Sequence, residues 1–373
     1  MRFSLDARHS LSSFTSALSR WFPVPRALTP PAAGIDISDS SIKWLAFDPK
    51  GSRRVHTFGE LPLEKGIVEN GAILDVHALA LVLSEVKKYL GGISCVHAAL
   101  PEEGAYVFSM QIPPGTPRNQ ILRIIEFDFE GRVPIPPSAA VYDYHPIPSH
   151  VTGESEIAVV VFSREIADDY AAAFTEAGLT LLSLEVEARS IARAVTSGEN
   201  EEPITLLVDF GRARTGFAVI KHGIPIFTST VAVGGDSITK ALMEKMSLTE
   251  EQAGAFKNNQ GLRADGGTKS DGVEAISGAA SALADEVARH YHYWDTRRNE
   301  HGERMTPVGR VLLVGGNSNL NGLTEYIAGR VQGTVELGNV WTQAPSFDDY
   351  IPPIDRRESF QYATAIGLAL RGV

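Results

Sequence analysis

Two short stretches of the 373-residue sequence set an acid at the end of an apolar run and follow it with small polar groups. They are "GIDISDSSIK" (34–43) and "LVDFGRART" (207–215). Asp36 precedes Ser38, Asp39, Ser40, Ser41 and Lys43; Asp209 precedes Gly211, Arg212, Arg214 and Thr215. These types suit charge management around a nucleotide. A strand-end carboxylate can hold the waters of a hydrated Mg²⁺, which takes oxygen ligands and keeps several waters. Hydroxyls, turn amides and a lysine can reach phosphate oxygens. Arg212 and Arg214 read equally as phosphate contacts or as a solvated turn. A third stretch, "VLLVGGNSNLNG" (311–322), runs a buried strand into Gly315, Gly316 and Asn317. Adjacent glycines let a backbone approach a ligand closely, and a helix start attracts anions. A purely structural turn is the other reading.

The elements around these stretches repeat. Residues 33–68 read as strand, Asp36, polar turn, Lys43, strand, a turn at Gly51 and a further strand. Residues 204–235 give the same order: strand, Asp209, turn, Thr215, strand, a turn at Gly223, then a strand running into Gly234 and Gly235. Asp36 and Asp209 lie 173 residues apart. Apolar positions 76, 79, 80, 83, 86 and 90 form a helical stripe stopped by Gly91 and Gly92. Helices are also expected at 117–130, 164–177, 185–196, 235–246, 249–257, 271–294, from near Leu320, and at 359–371. Alternating strands and helices imply a layered α/β architecture. Residues about 104–163 read as a small α+β insertion.

Composition excludes several classes. The chain is 43% hydrophobic and 21% charged, which fits globular domains rather than a disordered chain. A net charge of −11 argues against general nucleic-acid binding. Cys95 is the single cysteine, so no internal disulfide framework exists and a reducing compartment fits. His290 and His292, two apart on a helix, do not share a face for a metal; "HYHYWDTRR" (290–298) reads as a helix end with packed aromatics. No run reaches the apolar length of a membrane helix. Residues 1–31 form a basic tail followed by a proline linker. Arg2, Arg8, Arg20 and Arg26 accompany Leu11, Phe14, Leu18 and Trp21 at helical spacing. Residues 1–22 are either a solvated tail or an amphipathic helix for a membrane surface or a partner.

The three glycine- and acid-bearing stretches resemble the loops of the actin-like ATPase superfamily. Asp36, Ser41 and Lys43 are similar to its first phosphate loop; Asp209, Gly211 and Thr215 to its second; Gly315 and Gly316 to its adenosine loop. Within it the likeness is to the PilM family of type IV pilus assembly, from Gly34 to the end. It is carried by "ILRIIEFDFEGRVPIPPSAAVYDYHPI" (121–147), "SLEVEARSIARA" (183–194), "VGGDSITKAL" (233–242) and "LTEEQAGAFK" (248–257).

The resemblance implies two duplicated ribonuclease-H-like halves, a nucleotide cleft and an FtsA-like inserted subdomain beside the first half. The expected limits are 32–200 for the first half, holding the insertion, and 201–345 for the second, with its own insertion at about 236–305. Residues 346–373 return to the first half. It also implies ATP and Mg²⁺ as ligands, with Asp36 and Asp209 holding the metal through water. Ser38, Ser40, Ser41, Lys43, Gly211, Thr215, Gly234 and Gly235 lie around the nucleotide, with Lys257, Gly315, Gly316 and Asn317 around the nucleoside. The implied partner is the N-terminal peptide of a PilN-like inner-membrane protein, bound in a groove bordered by the insertion. That would hold a cytoplasmic chain at the inner membrane; a homo-oligomer is left open.

Three positions depart from the family pattern. Ser38 stands where the family has glycine, Asp39 adds a negative charge to a phosphate loop, and Gly254 replaces a glutamate expected at the ribose. No side chain announces itself as the base that hydrolysis requires. The alternatives are an FtsA-like membrane-tethered filament or division protein, and a small-molecule kinase of the same superfamily.

Overall fold

The structure is a computed structural model and describes residues 30–148, 155–197, 204–263, 271–298, 302 and 304–372. The basic tail and most of the proline linker lie outside the described residues.

Aliphatic and β-branched runs give the first sheet its central strands. β1 (Ala32–Ile37), β2 (Ser41–Phe47) and β3 (Val55–Pro62) form an antiparallel meander. A small hairpin, β4 (Val68–Glu69) and β5 (Ala72–Ile73), leads into α1 (Val76–Tyr89). The Asp75 carboxylate accepts the Ala78 amide at 2.8 Å and so starts this helix. Gly91 and Gly92, at φ 62° and 89°, end it. β6 (Cys95–Leu100) then runs parallel to β1.

The insertion follows as β7 (Ala105–Ile112), α2 (Arg118–Arg132), β8 (Ala140–Ile147) and β9 (Ser155–Ser163). Ile121, Ile125 and Phe129 of α2 pack on its strands. The first half closes with α3 (Arg164–Glu176), β10 (Thr180–Val186) and α4 (Glu187–Val195). The sequence reading starts a helix at 185; β10 instead continues to Val186, paired parallel to β6.

The second half comprises β11 (Ile204–Phe210), β12 (Thr215–Lys221), β13 (Ile224–Val231), α5 (Gly235–Met246), α6 (Glu250–Asn259), α7 (Asp271–Thr296), β14 (Val308–Val314), α8 (Leu323–Val331) and β15 (Val335–Leu337). Helix α8 starts three residues later than expected because Gly322 sits at φ 83°. The C-terminal helix is broken into a turn at Arg356–Ser359 and α9 (Ala363–Ala369).

The halves share one plan. Their strand orders are β10-β6-β1-β2-β3 and β15-β14-β11-β12-β13, with matching directions. Asp36 lies opposite Lys43, and Asp209 opposite Gly216, each pair displaced by the same 173 residues. Lys43 therefore corresponds to Gly216 and Thr215 to Ile42, which corrects the pairing of Thr215 with Lys43. A slip of one residue matters because it turns a strand side chain to the other face.

Between the sheets lie α4 and α9. Leu45 and Phe47 of the first sheet, Leu207 and Leu312 of the second, and Ile191 and Ile366 of the two helices form one buried layer. Helix α9 sits so close that a Cβ on Gly34 would lie 2.1 Å from the Ala365 carbonyl oxygen. The insertion, expected beside the first half, is also tied to the second. β7 pairs with β13 at Phe108 and Phe227, which extends the second sheet to eight strands. Ile147 and Ala158 share the second half's core, and Lys221 pairs with Glu156 at 2.6 Å. Among the described residues no helix is long and apolar enough to cross a membrane.

Candidate functional site

The β1–β2 turn is closed by serines. The Ser38 amide donates to the Ser41 carbonyl at 2.9 Å, the Ser38 hydroxyl to the same oxygen at 3.0 Å, and the Ser41 amide to Ser38 Oγ at 3.2 Å. The side chain at 38, where the family has glycine, is folded back into its own turn. Ser40 contributes its carbonyl, which accepts the Leu63 amide at 2.9 Å. Lys43 Nζ donates to Ser41 Oγ at 2.9 Å and pairs with Glu60 of β3 at 3.0 Å.

The β11–β12 turn follows the same backbone path. The Gly211 amide donates to the Arg214 carbonyl at 3.0 Å. Thr215 is fully buried and its hydroxyl donates to the Val233 carbonyl at 2.6 Å, so it braces the strand that leads to Gly234. The amides of Gly235 and Asp236, which open α5, donate to the carbonyls of Gly211 and Arg212 at 3.1 and 2.9 Å. Both amides are committed to the loop. A Cβ on Gly234 would lie 2.4 Å from the Arg212 carbonyl, and one on Gly235 2.1 Å from Asn317 Oδ1. Both glycines thus let the loops close on one another.

Asn317 ties the third stretch to the second. Its Nδ2 donates to the Gly211 carbonyl at 2.8 Å, while Lys257 Nζ donates to its Oδ1 at 2.8 Å and to Thr239 at 3.3 Å. Gly315, at φ 87°, lies against Asp209: a Cβ there would come within 2.3 Å of the carboxylate Oδ1. Gly316 is exposed, with the nearest obstacle to a Cβ at 3.5 Å. Gly254, on α6, faces open space.

Negative charge accumulates where the two turns face each other. Burial pushes Asp36 up to about 6, opposed by Lys43. Burial, then the charge of Asp36, pushes Asp209 up to about 7. Burial likewise lifts Glu187, the first residue of α4, well above the ordinary range, with Asp36, Glu103, Glu102 and Asp209 adding to it. Glu102 is buried, rises to about 7, and accepts the Ala188 amide at 3.1 Å, capping α4. A carboxylate held this way is stabilised by an added cation.

Sequence reasoning missed Glu102, Glu103 and Glu187. Glu187 lies in the quoted 183–194 block, but no role was read for it; Glu102 and Glu103 bear no motif. It also left Arg214 open. Arg214 pairs with Asp39 of the first half's turn and with Glu103, so the extra charge of Asp39 is countered from the opposite half. Arg212 is the solvated one, paired with Asp236 and Glu250 at an exposed surface. His290 stacks on Phe217 with ring centroids 4.6 Å apart, and Trp294 is buried beside it.

The residues present fit a magnesium nucleotide. Two strand-end carboxylates with raised pKa come from opposite halves, Lys43 lies beside one, and a side-chain-free Gly315 lies beside the other.

Residues 34–373 match the family model described as type IV pilus assembly protein PilM. Three solved structures share the fold. A PilM–PilN type IV pilus biogenesis complex is 20% identical, covers 94% of this chain and 99% of its own, and has a TM-score of 0.74. The ethanolamine utilization protein EutJ from Carboxydothermus hydrogenoformans is 18% identical over 97% of each chain, with a TM-score of 0.54. MreB5 of Spiroplasma citri bound to AMPPNP is 12% identical over 92% of this chain and 96% of its own, again at 0.54. The duplicated sheets and these neighbours together give the actin-like ATPase fold, a fold of nucleotide-binding proteins.

Proposed function

The chain belongs to the PilM family of type IV pilus assembly proteins, and from that premise we propose that it is an ATP-binding scaffold that captures the N-terminal tail of a PilN-like inner-membrane protein. The observation that carries the nucleotide part is the repeated register, which sets Asp36 and Asp209 at equivalent strand ends of the two halves. Asp36 and Asp209 hold the metal's waters, and Ser40, Ser41 and Lys43 serve the phosphates from the first half on a turn that Ser38 closes. From the second half, Gly211, Thr215, Gly234 and Gly235 shape the turn that faces the phosphates. Lys257, Gly315, Gly316 and Asn317 line the nucleoside end. Bound Mg²⁺ supplies positive charge that offsets the phosphates and the clustered carboxylates together.

We take 32–200 as the first half and 201–345 as the second, with 346–373 returning to the first; the two repeated five-strand orders support this division, although the strands of the insertion join the second sheet. The partner's place is the groove where the insertion meets α3. It holds about 440 Å³ and is lined by Ala139, Ser163, Arg164, Glu165, Asp168 and Asp169. Three carboxylates against one arginine favour a tail that carries positive charge. Such a tail would keep the protein at the inner membrane.

Titrating the full chain with a fluorescent ATP analogue and Mg²⁺, with and without a PilN-type N-terminal peptide, tests both parts. Mg²⁺-dependent nucleotide binding and saturable peptide binding weakened by Asp168→Lys are expected. A folded chain that ignores the peptide removes the scaffold reading.

A further inference from the structure

Arg214 occupies the position in the second turn that Ser41 occupies in the first, and it reaches across to the other half. Its Nη2 meets Asp39, and its Nη1 meets Glu103, which precedes β7 at the root of the insertion. The side chains of Arg214, Asp39 and Glu103 are 23%, 32% and 25% exposed, so the contact is partly withdrawn from water. Asp39 is held from behind by the Gly71 amide at 3.0 Å. Arg212, two residues earlier, is 62% exposed and its partners are more so or nearly so, which makes the inward reach of Arg214 a property of its position.

Both edges of the guanidinium fork are therefore satisfied by carboxylate oxygens. Phosphate oxygens present the same geometry and charge to such a fork. The contact lies on the side of the cleft built by the first half and the insertion root, whereas Lys257 and Asn317 form a network within the second half. If the nucleoside is placed at Lys257 and Asn317 as proposed above, the Arg214 contact, between the first half and the insertion root, is left for the terminal phosphate.

We propose that Arg214 discriminates nucleoside triphosphate from diphosphate, exchanging Asp39 and Glu103 for the terminal phosphate. This rests on the nucleotide reading above. No covalent bond changes; one set of ion pairs replaces another. Asp39 is then a built-in competitor, so the charge that departs from the family pattern sets how strongly a triphosphate must bind to engage the arginine.

The test compares dissociation constants of the Mg²⁺ complexes of AMPPNP and ADP for the full chain, Arg214→Gln, Asp39→Asn and the double variant. Arg214→Gln should lose about 10- to 100-fold for AMPPNP, the scale of a hydrogen-bonded charge pair, and less than about threefold for ADP. Asp39→Asn should strengthen AMPPNP binding several-fold, and that gain should vanish in the Arg214→Gln background. Equal losses for both nucleotides, or additive effects of the two changes, would overturn the proposal while leaving nucleotide binding intact. A folded wild-type chain that binds neither nucleotide overturns both. Should Arg214→Gln fail to fold, the variant carrying Asp39→Asn and Glu103→Gln keeps the arginine and must still favour AMPPNP over ADP more than wild type does.

Discussion

The turns at 36–43 and 209–216 share a backbone path and differ in how it is held. In each, the amide two residues after the aspartate donates to the carbonyl three residues on, at 2.9 Å for Ser38 and 3.0 Å for Gly211. The first turn adds side-chain bonds from Ser38 and a lysine held by Glu60. The second is held by its neighbours, because Asn317 reaches the Gly211 carbonyl and the start of α5 takes up that carbonyl and the one of Arg212. The family's glycine is therefore not required by the φ angle at Ser38, which is not among the positive-φ residues. A local serine bond and a long-range asparagine bond are two solutions to one turn.

The largest expected effect is on the aspartates that both turns present. Asp209→Ala and Asp36→Ala should each weaken Mg²⁺-dependent nucleotide affinity by about 10- to 100-fold in titration. A large loss at one and none at the other would break the equivalence of the halves, and no loss at either would show the site to be misplaced.

Next comes pH. Both carboxyls are raised in the fold, Asp36 to about 6 and Asp209 to about 7. The folded state binds protons more tightly than the unfolded chain, so the stability this confers is fully present below about pH 4 and lost as pH rises through 6 to 7. Thermal melts without Mg²⁺ should fall over that window. The Asp209→Asn protein should melt higher at pH 8 and show a flatter profile; a melt that rises through the window would contradict the raised pKa values.

Ser38→Gly makes the first turn like the second without supplying its asparagine. Chemical denaturation should show a loss of about 0.5–1.5 kcal/mol, the scale of a hydrogen bond between neutral groups. No change would mean that the amide bond alone holds the turn. The smallest effect belongs to Arg212→Ala, which should stay within about 0.5 kcal/mol because its ion pairs lie at the surface. A larger cost there would blur the contrast with Arg214.

Much of the fold was legible because it is written in local patterns. The helical stripe at 76–90, the glycine stop after it and the apolar runs at 204–210 and 308–314 each need only near neighbours. The edge strand β10 was not legible, since its seven residues gain their pairing from β6, some eighty residues away. The same divide runs through the site. The strand-end acids and the glycine pairs stand out as residue types, whereas Glu102 and Glu187 acquire meaning only through the charges packed around them, and Glu103 through its pairing with Arg214.

Sequence alone determined the duplication, since two copies of strand, acid and turn recur at a fixed spacing. Tertiary structure decided their state. It brought the two aspartates within reach of each other's charge, spent the hydroxyl of Thr215 and the amide of Gly235 inside the second loop, joined the insertion to the second sheet, and brought Arg214 to Asp39. The physical reason is range. Strand and turn formation depend on a few neighbouring residues, but burial and ion pairing depend on which distant segments the packed halves bring into contact.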